Sequence, residues 1–186
     1  MTTAAVCALE NIRAELKQKD RVLVAIDGPC ASGKTTLAKE LSELLQCPVV
    51  HADHFFLRPE QRTAARLAEP GGNMDRERLS EVLLPLREGK EARYRPFLCS
   101  HQYLGEPILI LPAPVILVEG SYSCHPDLEG LYDLRIFLCI ESREQMKRLA
   151  QREAPESLER FRERWIPLEN RYFSEYGIKN RAHLIL

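Results

Sequence analysis

Gly28-Pro29-Cys30-Ala31-Ser32-Gly33-Lys34-Thr35-Thr36 is the stretch on which the fold turns. Gly28, Gly33, Lys34 and Thr35 satisfy the pattern G-x-x-x-x-G-K-[ST]. Glycines at both ends let the backbone curl so that its N–H groups face inward around phosphate oxygens. Residues 22–26, Val-Leu-Val-Ala-Ile, precede the loop as a continuous apolar run. Such a run fits a strand buried on both faces of a parallel sheet. Leu37, Leu41, Leu44 and Leu45 follow at helical spacing. The loop therefore opens a helix, whose unpaired N–H groups favour an anion. This context predicts a phosphate site made by Gly28, Ala31, Ser32, Gly33, Lys34, Thr35 and Thr36. Lys34 would place its cation between the β- and γ-phosphates of a nucleotide, and the Thr35 hydroxyl would ligate magnesium. Cys30 sits inside the loop, where the helix terminus and Lys34 would modestly activate its thiol. A small residue filling space is the favoured reading of it.

Further apolar runs lie outward from this core. Residues 48–51, 115–118, 134–140 and 182–186 read as strands, and residues 108–111 as an edge strand. Residues 10–19, 76–87, 143–153 and 158–176 carry helical spacing, the last interrupted or kinked by Pro167. Residues 58–70 read as partly helical and 94–106 as irregular. Strands alternating with helices predict one α/β domain over residues 1–186, with five core parallel strands and helices on both faces.

A phosphate loop alone allows a switch GTPase, a motor ATPase, which usually needs more residues, or a small-molecule kinase. A kinase needs a base for the acceptor hydroxyl and cations for the transferring group. Asp53 follows the second strand run and falls at the carboxyl edge of the sheet, beside the phosphate loop. It is the candidate base; capping the next turn is its alternative role. Glu119 ends the run 115–118 and is the candidate second magnesium residue. Arg148 and Arg152 are four apart on one helix face and suit a lid over the phosphates. A solvated face paired with Glu144 and Glu153 is their alternative. Arg160, Arg162, Arg164 and Arg171 read as surface pairs with neighbouring glutamates. His54 reads equally as a ligand contact and a surface residue. Phe55 and Phe56 read as core or pocket wall. No N-K-x-D guanine motif occurs; Asn180 follows Lys179, in the wrong order.

Taken in order, the phosphate loop, Asp53-His54-Phe55-Phe56, Asn73-Met74-Asp75, Val118-Glu119-Gly120-Ser121-Tyr122 and the helix holding Arg148 and Arg152 resemble the uridine kinase and phosphoribulokinase-like branch of phosphate-loop kinases. The resemblance spans roughly residues 20–186. It implies a nucleoside-kinase-like phosphate-loop NTPase fold with strand order 2-3-1-4-5, and ATP with Mg2+ as cofactors. It implies phosphoryl transfer to a hydroxyl of a small molecule, Asp53 as catalytic base, and Lys34, Arg148 and Arg152 as further catalytic groups. It implies a lid over about 143–157 and an acceptor region over about 54–106. Phe56, Tyr94, Arg95 and Phe97 join Asp53 as acceptor-pocket candidates, because Tyr94-Arg95-Pro96-Phe97 falls at the family's substrate loop. The family pattern is Tyr-Asp-Phe with a His five residues after the Tyr. Here Arg95 follows Tyr94, position 99 is Cys, and His101 comes two residues late. Arg95 would suit an anionic acceptor such as a sugar phosphate, a pantothenate-like acid or a nucleoside monophosphate. The chain ends at Leu186, short of the family's adenine loop, which predicts an open base pocket.

Composition closes several other classes. Lys and Arg number 26 against 27 Asp and Glu in 186 residues, a formal net charge of −1. That balance argues against nucleic acid or an anionic membrane as the main partner. The partners expected are ATP and the acceptor, and a homo-oligomer is compatible. Cys7, Cys30, Cys47, Cys99, Cys124 and Cys139 form no C-x-x-C pair and no zinc spacing, as in a reduced, cytoplasmic protein. No secretory leader is visible at residues 1–9. A nucleotide-binding regulator without acceptor turnover is the rival reading.

Overall fold

The computed structural model describes residues 1–186. Strand β1 (Val22–Asp27) is buried along its whole length. It is the centre of a five-stranded sheet with β2 (Val49–His51), β3 (Val115–Glu119), β4 (Leu134–Phe137) and β5 (Leu184–Ile185). The order is β2-β3-β1-β4-β5 and every pairing is parallel, the expected 2-3-1-4-5 arrangement.

Alternation along β1 explains the layers. Val22, Val24 and Ile26 face one side, against α1 (Thr3–Leu16) and α2 (Lys34–Leu45) through Ala8, Ile12, Leu37 and Leu41. Leu23 and Ala25 face the other side, with Phe55, Leu79, Leu83 and Tyr172. Ile12 and Leu41 are fully buried, so truncating either to Ala costs about 2–5 kcal/mol. Helix α1 starts well before the expected Glu10. The Thr2 side chain caps it by accepting from the Ala5 N–H at 3.2 Å, and its alanine-rich first turns carry no charged face to mark them.

Between β2 and β3, residues 58–70 are partly helical as expected, with a 3-10 turn (Pro59–Gln61) and a one-turn helix α3 (Ala64–Ala68). Helix α4 (Arg76–Arg87) forms as expected, with Asp75 accepting from the Arg78 N–H. The irregular stretch is a small hairpin, Phe97–Leu98 against Tyr103–Leu104. Ile108–Ile110 lies outside the main sheet, paired antiparallel with Ala92–Tyr94.

After β4 come α5 (Ser142–Arg152), α6 (Pro155–Arg160), a π-helical turn (Phe161–Trp165), α7 (Ile166–Glu175) and α8 (Ile178–Arg181). Pro167 causes the π turn. It lacks an N–H and its ring would strike the carbonyl four residues back, so the preceding backbone widens to an i→i−5 bond from Ile166 to Phe161. No helix is long and apolar enough to cross a membrane.

Candidate active site

The register of the sheet assembles the site. Ile26 pairs with Glu119 and His51 pairs with Glu119, so β1, β2 and β3 end side by side. The phosphate loop, Asp53 and Glu119 therefore share the carboxyl edge of the sheet, where ligands of such folds bind.

Gly28 leaves β1 at φ +139°, and a Cβ there would stand 2.4 Å from the Leu138 carbonyl oxygen. Lys34 is buried and donates to the carbonyls of Gly28 at 2.7 Å and Pro29 at 2.9 Å. Its ammonium has no carboxylate partner, and the Ser32 Oγ beside it is buried without a hydrogen-bond partner. A cradle with a cation that no carboxylate neutralises and a hydroxyl without a partner fits a polyphosphate. Thr35 Oγ1 donates to Glu119 Oε2 at 3.1 Å. The other carboxylate oxygen, Oε1, lies 2.6 Å from His51 Nδ1, and this bond raises the His51 pKa above its ordinary value. A hydroxyl beside a carboxylate is an oxygen donor set of the kind magnesium takes.

Asp53 follows β2 in a 3-10 turn (Ala52–Phe55). Its Oδ1 lies 3.3 Å from where a Cβ on Gly120 would stand, so the bare backbone after Glu119 makes room for it. Asp53 is exposed and lines a cavity shared with the phosphate loop. Burial, and then the charge of Glu119, raise its pKa, against the lowering effect of Lys34.

One cavity of about 1090 Å³ joins these groups. Phosphate-loop residues Ala31, Gly33, Lys34, Thr35 and Thr36 line it, as do Asp53, Phe56, Glu119, Arg148 and Arg152. Arg148 donates to the Ala31 carbonyl at 3.2 Å while paired with Glu144. Arg152 pairs with Glu153 and lies over the Phe161 ring.

Three acceptor-pocket candidates are not brought to the cavity. Tyr94 is buried against Phe55, its hydroxyl 3.0 Å from His54 Nδ1. Phe97 is buried, with the Arg62 guanidinium above its ring. Arg95 folds back onto its own hairpin, donating to the carbonyls of Gly105 at 2.7 Å and Leu104 at 3.0 Å. It therefore lies on the hairpin, outside the cavity lining. His54 is likewise turned away from the cavity toward Tyr94. Two arginines read as surface pairs, Arg160 and Arg164, instead line the cavity without an ion pair, whereas Arg171 does pair with Glu175 at 2.6 Å. The Cys30 thiol is not activated: burial and Glu169 push its pKa up to about 12.

Residues with no expected role also shape the site. Asp27 is fully buried and accepts from the N–H groups of Gly28, Tyr122 and Cys124 and from the Tyr172 hydroxyl. An acid closing an apolar strand was a visible signal for it. Glu169 accepts from the Cys30 N–H at 2.8 Å and the Ser121 hydroxyl at 2.6 Å. No local pattern marks Glu169. Arg62 and Asn73 also line the cavity.

A family model described as an AAA domain matches residues 24–171. The chain belongs to this AAA-domain family. Among solved structures, it resembles a proposed fructose transport system kinase from Silicibacter sp. TM1040, at TM-score 0.71 and 24% identity, covering 100% of this chain and 99% of that one. It also resembles a possible uridine kinase from Bacillus stearothermophilus, at TM-score 0.69 and 18% identity, covering 96% and 98%. Phosphoribulokinase from Rhodobacter spheroides matches at TM-score 0.56 and 12% identity, covering 88% and 68%. No curated protein matches in sequence. The AAA-domain chain thus has the phosphate-loop kinase fold, and its fold relatives include the branch that the motifs resemble.

Proposed function

We propose that this chain is a small-molecule kinase that uses ATP and Mg2+ to phosphorylate a hydroxyl group. One observation carries the reading: Asp53, set against Gly120, opens into the same cavity as Lys34 and the Thr35–Glu119 pair. A nucleotide-binding regulator has no need of a carboxylate there.

Bound magnesium would neutralise charge on the transferring phosphoryl group, and Thr35 and Glu119 are the residues to hold it. Lys34 and the loop N–H groups hold the β- and γ-phosphates. Asp53 takes the acceptor hydroxyl proton as the oxygen attacks phosphorus and ADP leaves. Burial and the charge of Glu119 raise its pKa, which makes it a stronger proton acceptor than an ordinary aspartate. Arg148 and Arg152 stabilise charge at the transferring group from the helical segment 142–160, which acts as the lid over ligands bound across 54–106. Catalysis is then mostly positioning and charge stabilisation in a water-poor cleft.

The test is ADP release from ATP and magnesium against uridine, cytidine, nicotinamide riboside, pantothenate, glycerate and ribulose 5-phosphate. A single acceptor should raise the rate well above the background of reaction with water. Tight ATP binding with no stimulation by hydroxyl compounds of any class would sink the kinase reading in favour of the regulator.

A further inference from the structure

Besides the phosphate loop and Asp53, Phe56, Leu57, Arg62, Leu67, Ser100 and Gln102 line the cavity. An acceptor whose hydroxyl meets Asp53 would extend its non-reacting part among these residues.

Arg62 is the charge that stands out there. Its Nε and Nη2 both donate to the Leu57 carbonyl, at 3.0 and 2.9 Å. Its guanidinium carbon lies 5.6 Å from the centroid of the buried Phe97 ring. The guanidinium is therefore held in place from below and behind. A guanidinium has five N–H donors, so most of its fork remains free for a ligand. The nearby arginines are neutralised: Arg58 pairs with Glu60 at 3.4 Å and Arg66 with Glu77 at 2.7 Å. Glu69, which also lines the cavity, is taken by Arg76 at 2.8 Å. Arg62 alone in this stretch has no carboxylate partner.

Asn73 also lines the cavity, but its amide lies at the Tyr122 hydroxyl, so Arg62 is the group there that calls for an acceptor oxygen.

We infer that the acceptor carries an oxyanion, a carboxylate or a phosphate, and that Arg62 binds it. The inference rests on the kinase reading and narrows it to a class of acceptor. A preorganised guanidinium fork binds either oxyanion through two parallel bonds. Arg62 takes the part that Arg95 was expected to play, with Phe97 as its platform rather than a ligand contact.

The experiment uses the full chain with saturating ATP and magnesium. Initial rates are measured over matched hydroxyl compounds: sugars against their phosphates, and polyols against the corresponding hydroxy acids. The anionic partner of a productive pair should be preferred about tenfold or more in kcat/KM, and the arm that responds separates phosphate from carboxylate. Arg62→Ala should raise KM for that anion about 10–100-fold with a far smaller change in kcat, because the anion is bound alike in ground and transition states. Arg62→Lys should recover part of the loss. Arg62 is exposed, and binding of a fluorescent ATP analogue checks that each variant is folded. Neutral acceptors used as well as anionic ones would overturn the inference while leaving the kinase reading intact. So would a preferred anion whose KM ignores Arg62→Ala. Absence of turnover with every hydroxyl compound, despite ATP binding, would remove the kinase reading and this inference with it.

Discussion

Glu169 Oε2 accepts the Cys30 N–H at 2.8 Å, a bond from helix α7 into the middle of the phosphate loop across 139 residues of chain. Its Oε1 accepts from the Ser121 hydroxyl at 2.6 Å, just beyond Glu119. One carboxylate thus ties the loop, the end of β3 and the helix that roots the lid. Glu169→Ala would leave two donors unmet, and hydrogen bonds to charged groups are worth about 1.5–3 kcal/mol each. Thermal unfolding should drop by several degrees, and an ATP analogue should bind more weakly. A variant unchanged in both would show that Glu169 is not a strut.

Asp53→Asn should lower acceptor-stimulated turnover about 10²–10⁴-fold while ATP still binds. Asp53 must be ionised to take a proton, and burial and Glu119 raise its pKa. The kcat/KM of the unmodified chain should therefore climb with pH and level off above a midpoint higher than that of an ordinary aspartate. That acid limb should vanish from the residual activity of Asp53→Asn. A limb that persists at the same midpoint would assign it to another group.

Asp27 makes stability depend on pH in the opposite sense to a surface carboxylate. Burial pushes its pKa from 3.8 up to about 6, against four hydrogen bonds that favour its charge. The folded chain then holds a proton that the unfolded chain has lost between roughly pH 4 and 6. This contribution is present below that window and disappears as pH rises through it, by about 3 kcal/mol in all. Asp27→Asn should flatten this part of the profile. It should also lower stability overall, since an amide turns an NH2 toward groups that are themselves donors. Urea unfolding from pH 4.5 to 7.5 compares the two; parallel profiles would mean that Asp27 stays ionised throughout.

Gly28→Ala tests the loop geometry. The added methyl would stand 2.4 Å from the Leu138 carbonyl oxygen at a backbone φ of +139°. Strain and overpacking each cost about 1–3 kcal/mol. Thermal unfolding should fall by several degrees, which differential scanning fluorimetry would detect. A variant as stable as its parent would show that the loop does not pass this close to β4.

The loop from Gly28 to Thr36 was legible because its chemistry uses contiguous residues and backbone curvature. Asp53 and Glu119 were legible because each follows a buried apolar run, and the carboxyl ends of parallel strands gather at one edge. Tyr94, Arg95 and Phe97 were read into the pocket and lie outside it. Tyr94 and Phe97 end and begin strands of three and two residues, with Arg95 in the link between them; such strands are too short for alternation to reveal which way each side chain faces.

The chain by itself determined what local pattern encodes: the phosphate loop, the buried strands, most helices and the family resemblance that implied the strand order. The tertiary structure decided which distant groups meet. Thr35 reaches Glu119 across 84 residues, and Tyr172 reaches Asp27 across 145. Arg58, Arg66 and Arg76 pair with Glu60, Glu77 and Glu69, whereas Arg62 has no carboxylate partner. Such pairings leave no periodic trace, because they depend on how packed layers bring side chains together, not on their spacing along the chain.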